Sequence, residues 1–196
     1  MSRVGFVDPA ELGFAPGLLA ASSAITTELS GLLGLADLRG WVPYPETEYY
    51  TGMWEVFGLI AGDQLNRGAL ARCPRTAALL AGVPELRQAH FSALHPGARI
   101  LPHRGAPGVL RVALVLVVQP GAAGWEVDGV KRQARVGELV VFDDGSQHAA
   151  WNDGELVRIT LLFDSPDPAL SPDARSRLLA EYDAQVAGGL AARKPR

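Results

Sequence analysis

One cysteine, Cys73, in 196 residues leaves no internal disulfide and excludes a cysteine-built zinc site or iron–sulfur cluster. A single thiol suits a reducing compartment, so a cytoplasmic location is the expectation. No apolar stretch approaches the ~20 residues of a membrane-spanning helix. The first residues, Met1 to Phe6, show no apolar run followed by a small-residue cleavage site. Runs of Lys and Arg are absent, and a formal net charge of −3 offers no basic face for nucleic acid. Repeats and low-complexity linkers are also missing, so residues 1–196 read as one domain. Histidine is scarce, with only His90, His95, His103 and His148. Any metal must be held by these together with Asp or Glu.

What is present builds a core. Hydrophobic residues make up 48% and charged residues 20%, ordinary values for a globular chain of this length. Leu18, Leu19, Ile25, Leu29, Leu32 and Leu33 recur at helical spacing and predict a helix over 16–35, ended by Gly34. Residues 41–62 mix Pro, Tyr, Trp and Thr without a period and read as loop and short strand. Pro74 and Gly82 bracket a short helix. From residue 90 the texture turns to strands, with candidates at 90–94, 98–103, 110–118, 124–127, 130–135, 138–142, 147–152 and 156–164. Turn signals at Pro96-Gly97, Pro120-Gly121, Asp128-Gly129 and Asp144-Gly145 separate them. Eight short strands in some 75 residues favour a sandwich or barrel, its core at about 90–165. Ser171-Pro172-Asp173 starts a closing helix.

Two histidines stand out. His103 lies in Pro102-His103-Arg104-Gly105, and His148 in Phe142-Asp143-Asp144-Gly145-Ser146-Gln147-His148, both at strand ends beside turn signals, where site residues gather. The 44 residues between them allow the two to lie on adjacent strands. Imidazole suits iron, whose usual non-haem site has two His and one carboxylate. That carboxylate normally follows the first His by two positions, and here the position is Gly105, which cannot ligate. Asp143 and Asp144 read as a turn and as hydrogen-bond partners that orient His148. A two-histidine site completed by water is implied.

Arg158, ten residues beyond His148, is the one charge in an otherwise apolar run and needs a partner if buried. Its fork fits a bound dicarboxylate or an internal Asp or Glu. Arg111 is likewise the only charge in 110–118. Ser92 could add a hydroxyl donor. Trp125 and Trp151 read as packing, and His90 and His95 as strand and turn residues.

Taken together these phrases resemble the aspartyl/asparaginyl β-hydroxylases, iron(II)- and 2-oxoglutarate-dependent oxygenases. The resemblance runs from about Cys73 to Leu178, through Phe91-Ser92, His95 to Gly105, Leu110-Arg111-Val112, Phe142 to Asp153 and Val157-Arg158-Ile159. It implies a mainly β, double-stranded β-helix (jelly-roll, cupin-like) with N- and C-terminal helices packed on it. It implies that His103 and His148 hold Fe(II), and that Ser92 and Arg158 hold the far carboxylate of 2-oxoglutarate. Arg111 matches an arginine at the other end of that cosubstrate, near the substrate. It also implies an O2-using hydroxylase acting on an amino acid or amino-acid-derived small molecule, free, carrier-tethered or in a short peptide. The chain departs from the pattern at Ala113, where the animal enzymes have His, and in a shorter loop between Gly105 and Arg111 that lacks a further Arg. These departures, and the lack of room for domains that present protein substrates, point away from an aspartyl substrate. The alternatives are a 2-oxoglutarate-dependent halogenase, a non-catalytic jelly-roll binding protein and a zinc hydrolase. A tyrosine-rich segment, 41–54, is a candidate lid.

Overall fold

The computed structural model describes residues 5–33, 40–62 and 64–192, with side chains described to residue 184. In chain order its elements are β1 (Phe6–Val7), α1 (Ala15–Ala20), α2 (Ser22–Leu33), β2 (Trp41–Pro43), β3 (Tyr50–Thr51), β4 (Trp54–Ala61), β5 (Gln64–Leu65), α3 (Arg67–Arg72) and α4 (Pro74–Ala81). They continue as β6 (Gln88–Leu94), β7 (Arg99–His103), β8 (Val109–Val117), β9 (Ala123–Val127), β10 (Val130–Gln133), β11 (Leu139–Asp143), β12 (His148–Asn152), β13 (Arg158–Pro166) and α5 (Pro172–Ala192). The strands form two antiparallel sheets. The larger runs β1-β11-β8-β13-β6-β4-β2, with β5 on β4, and the smaller runs β10-β9-β12-β7-β3. This is the mainly β, double-stranded β-helix architecture expected, with helices at both ends of the chain.

Strand periodicity sorts the side chains into two cores. On β8 and β13, Leu110, Val112, Leu114, Leu116, Ile159, Leu161 and Phe163 face the N-terminal helices, where Leu18, Ile25 and Leu29 cover them. Each such side chain stabilises the fold by roughly 1.5–3 kcal/mol. The alternate residues face the space between the sheets, where Ala113, Val115 and Leu162 meet Ile100, Trp125, Val127 and Ala150 of the smaller sheet. Arg111, Arg158 and Thr160 are on this inner face too. The larger sheet therefore has helices on one side and the smaller sheet on the other.

All eight strand candidates from residue 90 onward are strands, with ends shifted by at most two residues. The Asp128-Gly129 turn has both residues at positive φ, 46° and 80°, as a tight hairpin between β9 and β10 requires. The predicted N-terminal helix is two helices that meet at Ala21, and its Gly34 stop lies outside the described residues. The main addition is β4, an eight-residue strand within the segment read as loop and short strand. It pairs with β6 and brings Trp54 opposite Leu94.

Candidate active site

β7 and β12 are antiparallel neighbours, and His103 stands opposite His148 in register. A bulge between His148 and Ala150 interrupts the ladder beside them, a device that re-aims side chains at sheet sites. The two imidazole centroids are 4.2 Å apart. Each ring is oriented by the backbone two residues upstream: Nδ1 of His103 lies 2.8 Å from the Leu101 carbonyl, and Nδ1 of His148 lies 2.9 Å from that of Ser146. A ring that donates from Nδ1 keeps the Nε2 lone pair for a metal. Burial holds the His148 pKa down at about 4, so the ring is neutral at physiological pH, the form that ligates. The Ser146 carbonyl and Asp144 oppose that shift without overcoming it. Among the described residues no third His, Cys, Asp or Glu joins the pair in a metal-holding cluster.

Gly105 has a different meaning from the one its sequence position suggested. A Cβ at this residue would lie 1.7 Å from Oδ2 of Asp144. The missing side chain leaves no vacancy, because the Asp144 carboxylate fills the space. Asp144 is gripped by the same loop: its carbonyl accepts from Gly105 N at 2.7 Å and its Oδ2 from Ala106 N at 3.0 Å. Its Oδ1 is 3.6 Å from His148 Nε2, the ring nitrogen not held by backbone. The orienting bond to His148 comes from Ser146, whereas Asp143 serves the turn, accepting from Gly145 N at 2.7 Å.

A partly open pocket of about 420 Å3 joins these histidines to Arg111, Arg158, Ser92, Trp54 and Trp125. All five site residues singled out from the sequence, Ser92, His103, Arg111, His148 and Arg158, line it. Arg158 is 2% exposed. Its Nη1 donates to the Gly124 carbonyl at 3.3 Å, its guanidinium lies 4.4 Å over the Trp125 ring, and its Nε has no partner. No carboxylate pairs with it among the described residues. Burial without a counter-anion pulls its pKa down to about 9. Ser92 Oγ accepts from Trp54 Nε1 at 2.8 Å, which leaves the hydroxyl proton free to donate.

Arg111 is in the opposite condition. Its Nη2 is 2.9 Å from Asp144 Oδ1 and its Nε is 2.9 Å from Asp164 Oδ1. Burial works against its charge, but the two carboxylates outweigh burial and hold the guanidinium firmly protonated. Desolvation raises the Asp164 carboxyl, and Arg111 only partly offsets it. The tyrosine segment lies along the same rim. Tyr44 stacks on Trp54 with centroids 3.7 Å apart, Tyr50 meets Trp54 edge-on, and the Tyr49 ring is 5.0 Å from that of His103. His95 is elsewhere, 2.7 Å from Glu55. His90 is buried on the inner face of β6 with its Nε2 unpartnered. Sequence reasoning missed the Trp54–Ser92 bond and the Asp144–Arg111–Asp164 clamp. Neither has a local signal, because each joins strands far apart in the chain.

Mouse aspartyl/asparaginyl beta-hydroxylase is 29% identical over 157 residues, covering 76% of this chain and 21% of that protein. The ornithine lipid ester-linked acyl 2-hydroxylase of Rhizobium tropici is 34% identical over 122 residues, 61% of this chain and 43% of that protein. The chain thus matches less than half the length of either relative. In fold it is similar to a Pseudomonas putida prolyl-4-hydroxylase, at TM-score 0.50 and 18% identity over 74% of this chain and 87% of that one. Among the described residues no helix is long and apolar enough to cross a membrane. The family model described as aspartyl/asparaginyl beta-hydroxylase matches residues 20–168, three-quarters of the sequence, and the chain belongs to that family.

Proposed function

We propose that this chain is an Fe(II)- and 2-oxoglutarate-dependent dioxygenase that hydroxylates an amino acid or an amino-acid-derived small substrate. In this reading residues 1–196 work as one domain, with the site on the 90–165 core. The observation that carries it is Arg158, a buried guanidinium with no carboxylate partner among the described residues, in the same pocket as two imidazoles whose Nδ1 atoms are held by backbone carbonyls. An unpaired buried cation calls for an anionic ligand. A dicarboxylate suits both ends of the pocket, one carboxylate on Arg158 and Ser92 and the keto-acid end toward the histidines. The residues therefore fit both groups.

When bound, Fe(II) and 2-oxoglutarate supply the oxidising power to insert one atom of O2 into a C–H bond, with succinate and carbon dioxide as coproducts. His103 and His148 hold the metal through Nε2, their rings fixed by the Leu101 and Ser146 carbonyls. Arg158 gives the cosubstrate a two-pronged contact, and Ser92 adds one hydroxyl donor while Trp54 fixes its oxygen. Trp125 and Trp54 exclude water around the dicarboxylate. Asp144 presents a carboxylate beside His148 Nε2. Its negative charge would disfavour a second anion beside it, which supports hydroxylation over halogenation. The named relatives act on aspartyl or asparaginyl groups and on a lipid acyl chain, so a carbon-rich side chain held near the tyrosine rim is the substrate class to screen.

Succinate release tests the reading. Anaerobic protein loaded with Fe(II) and 2-oxoglutarate, then exposed to O2 with an amino-acid and acyl-amino-acid panel, should form succinate, stimulated by a matching substrate. His103→Ala and His148→Ala should each abolish it. Succinate formation that survives both substitutions, or no 2-oxoglutarate binding by the parent, would sink the proposal.

A further inference from the structure

The family match ends at residue 168, and α5 begins at Pro172. Nothing in the chemistry above requires this helix, yet it reaches the site through a continuous set of buried polar contacts. Tyr182 Oη is 2.9 Å from Asp164 Oδ2 and 2.9 Å from Gln88 Oε1. The other Asp164 oxygen is 2.9 Å from Arg111 Nε, Arg111 Nη2 is 2.9 Å from Asp144 Oδ1, and Asp144 holds the Ala106 amide and stands beside His148. Asp144 and Asp164 are both 4% exposed. Around Tyr182 the helix meets the sheet beside Leu178, Leu179, Val109 and Pro166, so the hydroxyl is a polar bridge in an otherwise apolar contact. The helix is also tied at its surface, by Arg87–Asp183 at 2.8 Å and Arg175–Glu85 at 3.2 Å.

We propose that Tyr182 and Asp164 are positioning residues for the site: through Arg111 they fix Asp144, and with it the Gly105–Ala106 loop, against His148. The Arg111 guanidinium is rigid and planar and lies between two carboxylates as ion pairs at 2.9 Å, so a shift of Asp164 moves the charge that faces Asp144. Without the Tyr182 hydroxyl, Asp164 Oδ2 is buried with no donor in reach but the same fork. Asp164 then turns both oxygens onto Arg111, and Nη2 swings off Asp144. The α5 helix would thereby govern how firmly the carboxylate beside His148 is held. The wiring stands independently of the proposed cofactors, and only its effect on turnover rests on that reading.

The experiment is residue-resolved amide hydrogen exchange on the full chain without metal, which keeps it separate from the test of iron and 2-oxoglutarate. The probe is the Ala106 amide, which is hydrogen-bonded to Asp144 Oδ2 and lies 76 positions from Tyr182 in the sequence. Tyr182→Phe should speed its exchange about tenfold, the scale of one lost hydrogen bond, with the amide of Leu114 in β8 unchanged. Asp164→Asn, which keeps the side-chain shape but removes the charge facing Arg111, should do the same. Asp183→Asn, which loosens only the surface tie, should leave Ala106 at the parent rate. The proposal fails if Tyr182→Phe loosens α5 and β13 while Ala106 keeps its parent protection. It also fails if both variants accelerate Leu114 and Ala106 alike, because the two residues would then only support the fold.

Discussion

Arg111 and Arg158 enter the same barrel interior from neighbouring strands, and their surroundings are opposite. Arg111 has two carboxylates at 2.9 Å. Arg158 has a carbonyl, an aromatic face and an Nε with nothing on it. The same pairing logic governs both, since a buried charge is costly without a partner. Arg111 finds its partners within the protein and so belongs to the scaffold of the pocket. Arg158 has no carboxylate partner among the described residues, the feature on which its proposed role as an anion-binding position rests. The apolar run around an arginine does not distinguish the two cases; the residues brought beside it by the neighbouring strand and the β11–β12 turn do.

The comparison breaks most visibly at Arg111. Arg111→Met strands Asp144 and Asp164 as buried carboxylates, and urea unfolding should show a loss of about 3–5 kcal/mol. A loss below about 1 kcal/mol would mean that the clamp does not hold the charges together.

His90 offers a second large effect. Burial, reinforced by the nearby Arg111 charge, pushes its folded pKa down to about 3, from the ordinary histidine value of 6.5. The unfolded chain therefore takes up this proton first as pH falls. The stability associated with neutral His90 is complete above pH 6.5 and drains away as pH drops toward 3. At pH 4 the loss is about 3 kcal/mol. His90→Gln should flatten the stability-versus-pH curve across this window, and an unchanged slope would show that His90 accepts its proton in the fold.

Arg158 should respond in the reverse sense to Arg111. Arg158→Met removes an uncompensated buried charge, so the ligand-free protein should keep or gain stability. At the same time 2-oxoglutarate affinity should fall at least tenfold, about 1.4 kcal/mol or more. Arg158→Lys should rescue only part of it, because an ammonium lacks the fork. Calorimetric titration of 2-oxoglutarate under anaerobic Fe(II) measures this directly, and parent-like affinity in the Met variant would reverse the assignment of the two arginines. The smallest effect is expected at Trp54. Trp54→Phe leaves Ser92 without its indole donor, and 2-oxoglutarate binding should weaken severalfold, about 0.5–1.5 kcal/mol; no change would place Ser92 outside the cosubstrate's reach.

The β-strand half of the fold was legible because its signals are local: alternating or continuous apolar runs of five to nine residues closed by Pro-Gly, Asp-Gly and similar turns. β4 was not, because Trp54–Ala61 carries Gly58 in its middle and follows a stretch broken by Pro43 and Pro45. Its assignment depends on pairing with β6, a tertiary fact. Convergence of Ser92, His103, Arg111, His148 and Arg158 on one pocket was anticipated from strand-end motifs and the family resemblance. Gly105 shows the limit. A sequence reports that a side chain is missing, but not that Asp144, 39 positions later, fills the space. The Gly105→Asp substitution that the sequence suggests for completing a ligand triad therefore meets a carboxylate already in place. The pairing of Arg111 is hidden for the same reason, since both its anions lie on other segments.

The cross-strand pairing of His103 with His148 also bears on the order of assembly. The two imidazoles are separated by 44 residues of chain and meet only when β7 and β12 close their ladder. Closing so long a loop comes with late, non-local sheet formation rather than with early helical contacts. A metal that needs both rings cannot template the folding of this chain. The proposed metal would bind only after the barrel has closed, and its kinetic signature would be slower unfolding with an unaltered folding rate.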